Sequence, residues 1–212
     1  MKESFDLLVR GGLVATPNGI APANVGVIGG RIAAIGSLSG AKAAEVFEAK
    51  GLHVLPGVMD TQVHFREPGN AHKEDLETGS LAAILGGVTA VFEMPNTNPP
   101  TTTRAAIEDK LARAKGRMYC DHAFYAGATP QNIGALAELE RLPGVCGLKA
   151  FLGSSTGTLL LAKPEDILAA LKAGKRRVAV HSEDEDRMIA RKAFAERGKP
   201  QTHPVWRDAE SA

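Results

Sequence analysis

Residues 55–69 of this 212-residue chain read LPGVMDTQVHFREPG, an apolar run that ends with polar side chains at every second position. Side chains of a β-strand alternate between its two faces, so a strand here would direct Asp60, Gln62, His64 and Arg66 to one side. Parallel α/β folds collect their functional groups at the C-terminal ends of their strands. The stretch therefore predicts a strand that leads into a functional site.

The chain after Pro56 alternates apolar runs of strand length with amphipathic stretches of helix length, which is typical of repeated βα units. We expect each strand to be followed by a helix that packs on the sheet. The five predicted strands lie within HVLPGVMDTQVHF, VTAVFEM, MYCDHAFYAG, VCGLKAFLG and RVAVHSED.

Consecutive βα units form either an open doubly wound sheet or a (β/α)8 barrel. A nucleotide-binding sheet carries a glycine fingerprint at its first βα turn, but that turn reads HFREPGNAHKED here. The sequence therefore favours an α/β fold built as part of a barrel. Residues 5–50 differ in texture, because short β-rich pieces separated by Gly, Pro and Asn predict a small antiparallel sheet there.

The composition argues against several classes of partner. A net charge of +1 and a pI of about 7.8 give no support for nucleic-acid binding. No apolar run reaches the ~20 residues that a membrane helix needs. Cys120 and Cys146 lie far apart in apolar segments, so we expect buried thiols in a reducing compartment, and we predict a cytoplasmic protein.

Three strand segments carry residues that suit a metal site: His64, Lys149 and His181. Neutral imidazole is a good zinc ligand, and a barrel brings its strand ends together. Lys149 stands between apolar neighbours in GLKAFLG, where a buried ammonium is costly. Its amine either reaches the rim of the barrel or reacts with carbon dioxide to become an anionic bridge between metal ions, and both alternatives are open from these residues.

Four blocks of sequence resemble dihydroorotase of the amidohydrolase superfamily. The opening segment also resembles the small β-sandwich that flanks the barrel in that family, so we expect residues 1–55 to form part of a sandwich and residues 56–212 to form about five βα units of a metal-dependent hydrolase barrel. The four blocks are D-x-x-x-H-F-R-E-P-G at 60–69, HKEDLETGSLAAILGGVTAVFEMPNTNPPT at 72–101, GLKAFLGSSTG at 147–157 and VAVHSED at 178–184.

The resemblance implies a zinc enzyme that interconverts N-carbamoyl-L-aspartate and L-dihydroorotate in pyrimidine synthesis. By that resemblance Lys149 is a catalytic, carbamylated bridge between one or two zinc ions, and His64 and His181 are metal ligands. Arg66 and Asn96 would bind the substrate carboxylate. The resemblance further implies Asn at the position of Arg66 in allantoinases and no R-E-P-G run in hydantoinases, which favours dihydroorotase, and it implies a homo-oligomer.

The sequence departs from the family pattern in two ways. Gln62 replaces the first His of the usual H-x-H motif, and an amide oxygen is only a weak zinc ligand. Five βα units also fall short of the eight in a barrel, so we expect an N-terminal portion of a longer protein or a need for a partner. The alternatives are a hydantoinase- or allantoinase-type hydrolase and a non-catalytic scaffold that assembles with aspartate carbamoyltransferase.

Overall fold

A computed structural model describes residues 4–154 and 158–212 of the chain. Residues 155–157, within the predicted loop GSSTGT, lie outside the described residues. Backbone contacts divide the protein into two compact units, Met1–Gly57 and Val58–Ala212. Among the described helices, none has the length and apolar character needed to cross a lipid bilayer.

The first unit is a five-stranded sheet with the path β3-β2-β1-β4, while β5 pairs with β1. The hairpins β1–β2 and β2–β3 are antiparallel as predicted, but β4 and β5 run parallel to β1. The expectation of a purely antiparallel sheet is wrong, because turn residues determine only hairpin neighbours, whereas β4 returns to the far edge of β1. The strands are β1 Ser4–Thr16, β2 Gly19–Ile28, β3 Arg31–Gly36, β4 Lys42–Glu48 and β5 His53–Val54.

The second unit is a five-stranded parallel sheet whose strands follow chain order. This is the arrangement of half a (β/α)8 barrel, and it confirms the predicted α/β fold class. The strands are β6 Val58–Val63, β7 Val88–Glu93, β8 Asp121–Gly127, β9 Val145–Phe151 and β10 Arg177–His181. The α-helices are α1 Leu76–Leu85, α2 Arg104–Ala114, α3 Leu136–Leu139, α4 Pro164–Ala173, α5 Glu185–Arg191 and α6 His203–Trp206.

The helix expected after β8 is shorter than the amphipathic stretch PQNIGALAELERLPG at 130–144. Only a 3-10 turn at Ile133–Ala135 and the single-turn helix α3 form there. The Asn132 side chain donates to the carbonyls of Gly127 and Thr102 at 2.8 Å each. Such side-chain bonds to the backbone compete with helix formation, so the start of this segment serves as an anchor for the loop after β8.

The two faces of the parallel sheet have different roles. Leu148 and Ala150 of β9 belong to an apolar core that includes residues of α2, α3 and α4. Lys149 and Phe151 alternate with them and therefore point to the opposite face. The helix-packed face is almost entirely apolar, with the buried ion pair between Glu93 and Lys110 as an exception. The sheet thus holds Lys149 on the face that a barrel encloses.

Candidate active site

The end of β6 is irregular. The pairing of β6 with β7 shifts register between Asp60 and Val63, and the Asp60 carboxylate accepts a hydrogen bond of 2.9 Å from the Gln62 N–H. The uninterrupted alternation expected for residues 60–66 is therefore wrong at this bulge. Gln62 is exposed, and no contact of its side chain with the other predicted site residues occurs within the described part of the chain.

His64, the first residue after β6, has one ring nitrogen occupied. Its Nδ1–H donates to the Asn96 side-chain oxygen at 2.8 Å, and because an amide oxygen only accepts, this contact leaves the lone pair on Nε2. Burial lowers the pKa of His64, the bond to Asn96 opposes that effect, and the positive charges of Arg66 and Lys149 lower it further. The imidazole is therefore held neutral, as a metal ligand must be.

Lys149 lies in the middle of β9 and is only 1% exposed. Within the described residues its Nζ has no hydrogen bond or ion pair and rests 5.0 Å from the centre of the Phe151 ring. Burial lowers the pKa of Lys149, because a low-dielectric setting disfavours the ammonium form. Burial therefore weakens the ammonium form here, and the structure favours a buried amine over one that reaches solvent.

His181 is the last residue of β10 and pairs directly with Phe151 of β9. Its ring packs 5.8 Å from the Phe151 ring, centroid to centroid. The Nε2 atom contacts the Glu183 carboxylate at 2.5 Å, so Nε2–H donates and Nδ1 is the ring nitrogen that this bond leaves open. Burial raises the pKa of Glu183, but hydrogen bonds from Arg207 and His181 outweigh it, and the net pKa lies below the ordinary value.

The structure brings His64, Lys149 and His181 to one end of the sheet. The charges of Lys149 and His181 both influence His64, and Lys149 and His181 pack on the same Phe151 ring. Among the described residues no three His, Cys, Asp or Glu side chains group to hold a metal ion. The donor set is instead two imidazoles and one amine, which fits a metal site once the amine becomes an anion.

Arg66 and Asn96 lie beside His64. Arg66 is partly buried, and the described residues place no hydrogen bond or ion pair on its guanidinium. Asn96 follows β7 in the proline-rich loop, and its side-chain oxygen bonds His64. Sequence reasoning assigned Asn96 to the substrate carboxylate only, and that assignment stays a prediction, whereas the structure shows that Asn96 fixes the His64 ring.

The chain is similar in sequence to known proteins. A model of the dihydro-orotase-like family matches residues 51–162. The chain belongs to the dihydroorotase-like family. An allantoinase of Deinococcus radiodurans is 38% identical over 188 residues, which cover 86% of this chain and 42% of that protein. An allantoinase of Escherichia coli is 45% identical over 152 residues, covering 71% of this chain and 33% of that protein.

Solved structures agree with the family assignment. The L-hydantoinase of Arthrobacter aurescens superposes with a TM-score of 0.84 at 28% identity, over 98% of this chain and 49% of that chain. A dihydropyrimidinase of Brevibacillus agri gives 0.81 at 28% identity, over 96% and 46%. This dihydroorotase-like chain therefore spans less than half the length of these relatives, whose names are those of cyclic amidohydrolases.

Glu67 is a residue of the site region whose role sequence reasoning missed. It is 6% exposed, and its carboxylate accepts hydrogen bonds from both Arg117 nitrogens at 2.9 and 3.1 Å and from the Leu76 N–H at 3.1 Å. These bonds attach the segment that carries Arg66 to the start of α1. The signal in the sequence was only a charged residue next to a proline, which does not reveal a partner 50 residues away.

Replacing Glu67 by glutamine is expected to lower the unfolding free energy by about 1.5–3 kcal/mol, since hydrogen bonds to a charged group are lost. Burial raises the pKa of Glu67, but the Arg117 and Leu76 bonds and the nearby arginine charges bring it below 4.5. A depressed carboxyl pKa stabilises the fold above the unfolded value, and this contribution is lost as the pH falls through the folded pKa. The difference from wild type should therefore shrink on acidification.

Urea unfolding at several pH values measures this difference. Glu77→Gln is the matched control, because Glu77 is an exposed partner of the same Arg117 at 3.6 Å. We expect that control to stay within about 0.5 kcal/mol of wild type. Equal losses in both variants would show that the Glu67 contacts add nothing beyond surface charge.

Proposed function

We propose that this chain carries part of the active site of a zinc-dependent hydrolase that opens cyclic amides, with a carbamylated Lys149 as an anionic ligand. The observation that carries the proposal is Lys149 itself, a buried amine without a polar partner in the described residues, which packs on the same Phe151 ring as His181 and whose charge acts on His64. A purely structural lysine in this position would only destabilise the fold.

Carbamylation gives that amine a role. The Nζ lone pair of the unprotonated amine attacks the carbon of carbon dioxide, an N–C bond forms, one C–O π bond opens to leave the negative charge on oxygen, and one proton leaves to solvent. The product is an anion with two oxygen atoms, the hard ligand type that complements two neutral imidazoles. Burial promotes the reaction because it disfavours the ammonium form of the amine.

Four other residues of the chain would bind the cation or orient its ligands. His64 would hold a cation through Nε2 and His181 through Nδ1, because their other nitrogens bind Asn96 and Glu183. When bound, a divalent cation lowers the pKa of a water molecule and polarises the amide carbonyl of the substrate. Asn96 and Glu183 hold the two rings so that neither must reorient during turnover.

For the substrate we favour a cyclic amide that carries a carboxylate, as dihydroorotate does, and the support is Arg66. A partly buried guanidinium beside His64, without a partner in the described residues, offers two parallel donors to an anion. Ring opening would convert dihydroorotate to N-carbamoyl-aspartate while Arg66 retains the carboxylate.

A second candidate is the hydrolysis of a hydantoin or of allantoin. The names of the matched relatives favour it, since allantoinases and hydantoinases predominate among them. These rings lack a carboxylate in the position that Arg66 would bind. The two candidates therefore differ in what they require of Arg66.

The test is a ring-opening assay of zinc-loaded protein against dihydroorotate, hydantoin and allantoin. In Arg66→Gln we expect the KM for dihydroorotate to rise about 10- to 100-fold, from ~1.5–3 kcal/mol of charged hydrogen bonding. Hydantoin turnover should not change. Turnover of hydantoin or allantoin alone, unaffected by Arg66→Gln, would support the second candidate.

Protein that folds but binds no zinc and opens none of the three rings would contradict both candidates. That outcome would support the scaffold alternative, for which co-purification with aspartate carbamoyltransferase is the direct measurement. Metal content and turnover measured on one preparation separate the three cases.

A further inference from the structure

Arg207 is the residue through which the C-terminal segment reaches the candidate site. It follows α6, and its Nη1 contacts both oxygens of the Glu183 carboxylate at 2.5 Å. Its Nη2 donates to the Ser154 carbonyl at 3.2 Å. One guanidinium therefore joins the end of β10, which carries His181, to the loop after β9, which carries Lys149.

The packing around Arg207 leaves little freedom. Its guanidinium carbon lies 4.7 Å from the centre of the Trp206 ring, and the Trp206 Nε1–H donates to the Met188 carbonyl at 2.8 Å. A side chain at Gly153 would come within 2.7 Å of the Glu183 Cβ, so only glycine permits this approach of the two loops. The side chains of Arg207 and Glu183 are 23% and 15% exposed.

We propose that Arg207 is a positioning residue for His181 and acts through Glu183. Glu183 accepts the Nε2–H of His181, and Arg207 holds both oxygens of that carboxylate. The arrangement selects the tautomer that presents Nδ1 and fixes the ring's direction. The inference rests on the proposed function, in which His181 is a metal ligand.

The same segment also contains a histidine, His203. In the structure His203 is exposed, and its ring packs edge-on against Trp206 with centroids 6.0 Å apart. The segment therefore contributes a guanidinium to the site region and no imidazole. Sequence alone gave no reason to connect Arg207 to a residue 24 positions earlier.

The first test reads the His181 tautomer in metal-free protein by nitrogen-15 NMR of labelled histidine, with the His181 signals assigned by their loss in His181→Gln. Wild type at pH 8 should show the Nε2–H form. Arg207→Gln should show a mixture of both tautomers. Arg104→Gln, which breaks an exposed arginine–glutamate pair of 2.6 Å elsewhere, should look like wild type.

The second test is zinc affinity by chelator competition, which does not depend on turnover. Arg207→Gln should weaken zinc binding about 10- to 100-fold, the effect of losing a partner that orients a ligand. Arg207→Lys keeps the charge but cannot contact both carboxylate oxygens and the Ser154 carbonyl together. Its zinc affinity should therefore lie between that of wild type and that of Arg207→Gln. If the glutamine variant does not fold, the lysine variant decides.

A wild-type tautomer and wild-type zinc affinity in the Arg207 variants, with only a lower melting temperature, would overturn the proposal. Arg207 would then only stabilise the fold. Failure of the proposed function looks different. In that case wild type itself would bind no zinc, while the tautomer measurement would still report whether Arg207 orients the ring.

Discussion

Replacing Lys149 by methionine is expected to lower ring-opening activity by on the order of 10³-fold or more, the scale seen when one member of a set that acts as a unit is removed. Methionine has a similar volume and no charge, so it fills the site without supplying an anion. The same change should not destabilise the fold, because it removes a buried amine that lacks a polar partner in the described residues. Zinc content per chain should fall with activity.

Three measurements check this expectation: zinc per chain, turnover and the urea midpoint, each with Lys172→Met as the control. Lys172 is an exposed lysine of α4, so its replacement should leave all three unchanged. Removal of dissolved carbon dioxide before zinc loading should lower activity in wild type. A Lys149→Met protein that retains zinc and turnover would refute the role given to this amine.

Replacing Lys110 by methionine is expected to lower the unfolding free energy at pH 8 by about 3–5 kcal/mol, because it leaves an unpaired buried charge on Glu93. Both side chains are 1% exposed, and the Lys110 ammonium bonds the Glu93 carboxylate and the Met94 carbonyl. Lys110 bonds Oε2, and the other Glu93 oxygen, Oε1, has no hydrogen-bond partner in the described residues. The charge of Arg66 also acts on Glu93, but its effect is smaller than that of Lys110.

The loss should depend on pH with a definite sign. Burial raises the pKa of Glu93 to about 7 even while the Lys110 charge opposes it, so removing that charge raises it further. A raised carboxyl pKa gives stability that is present below the unfolded value and is lost as the pH rises through the folded pKa. Urea unfolding of Lys110→Met should recover toward wild type between pH 8 and pH 5.

A double variant separates the charge effect from the packing effect. Glu93→Gln combined with Lys110→Met removes the buried charge and should regain most of the lost stability at pH 8. A loss that is equal at both pH values and persists in the double variant would mean that cavity and packing effects, not the buried charge, determine the result.

The sequence predicted most of the second unit because its patterns are local. Strand-length apolar runs and helix starts are determined by neighbouring residues, and Thr103 caps α2 by accepting from the Ala106 N–H, as a capping threonine does. The convergence of His64, Lys149 and His181 also followed from topology, since consecutive parallel strands place their C-terminal ends together.

The remaining features depend on contacts that sequence spacing does not encode. The bulge after Asp60 depends on a hydrogen bond to the Gln62 N–H, so a simple period of two failed there. The parallel placement of β4 depends on which edge of β1 it joins. Ion pairs such as Glu67 with Arg117 and Glu183 with Arg207 join residues far apart in the chain. A charge pattern in the sequence marks residues that can form ion pairs, but it does not show which residues pair with each other.

We infer that His64 and His181 share a metal site with Lys149 and bind through opposite ring nitrogens. Anomalous diffraction from crystals of the zinc-loaded protein tests it directly. We predict a zinc peak about 2.0–2.2 Å from His64 Nε2, from His181 Nδ1 or from an oxygen added to Lys149, and two such peaks if two ions bind. Zinc bound elsewhere, or held by His64 Nδ1 with Asn96 displaced, would contradict the account.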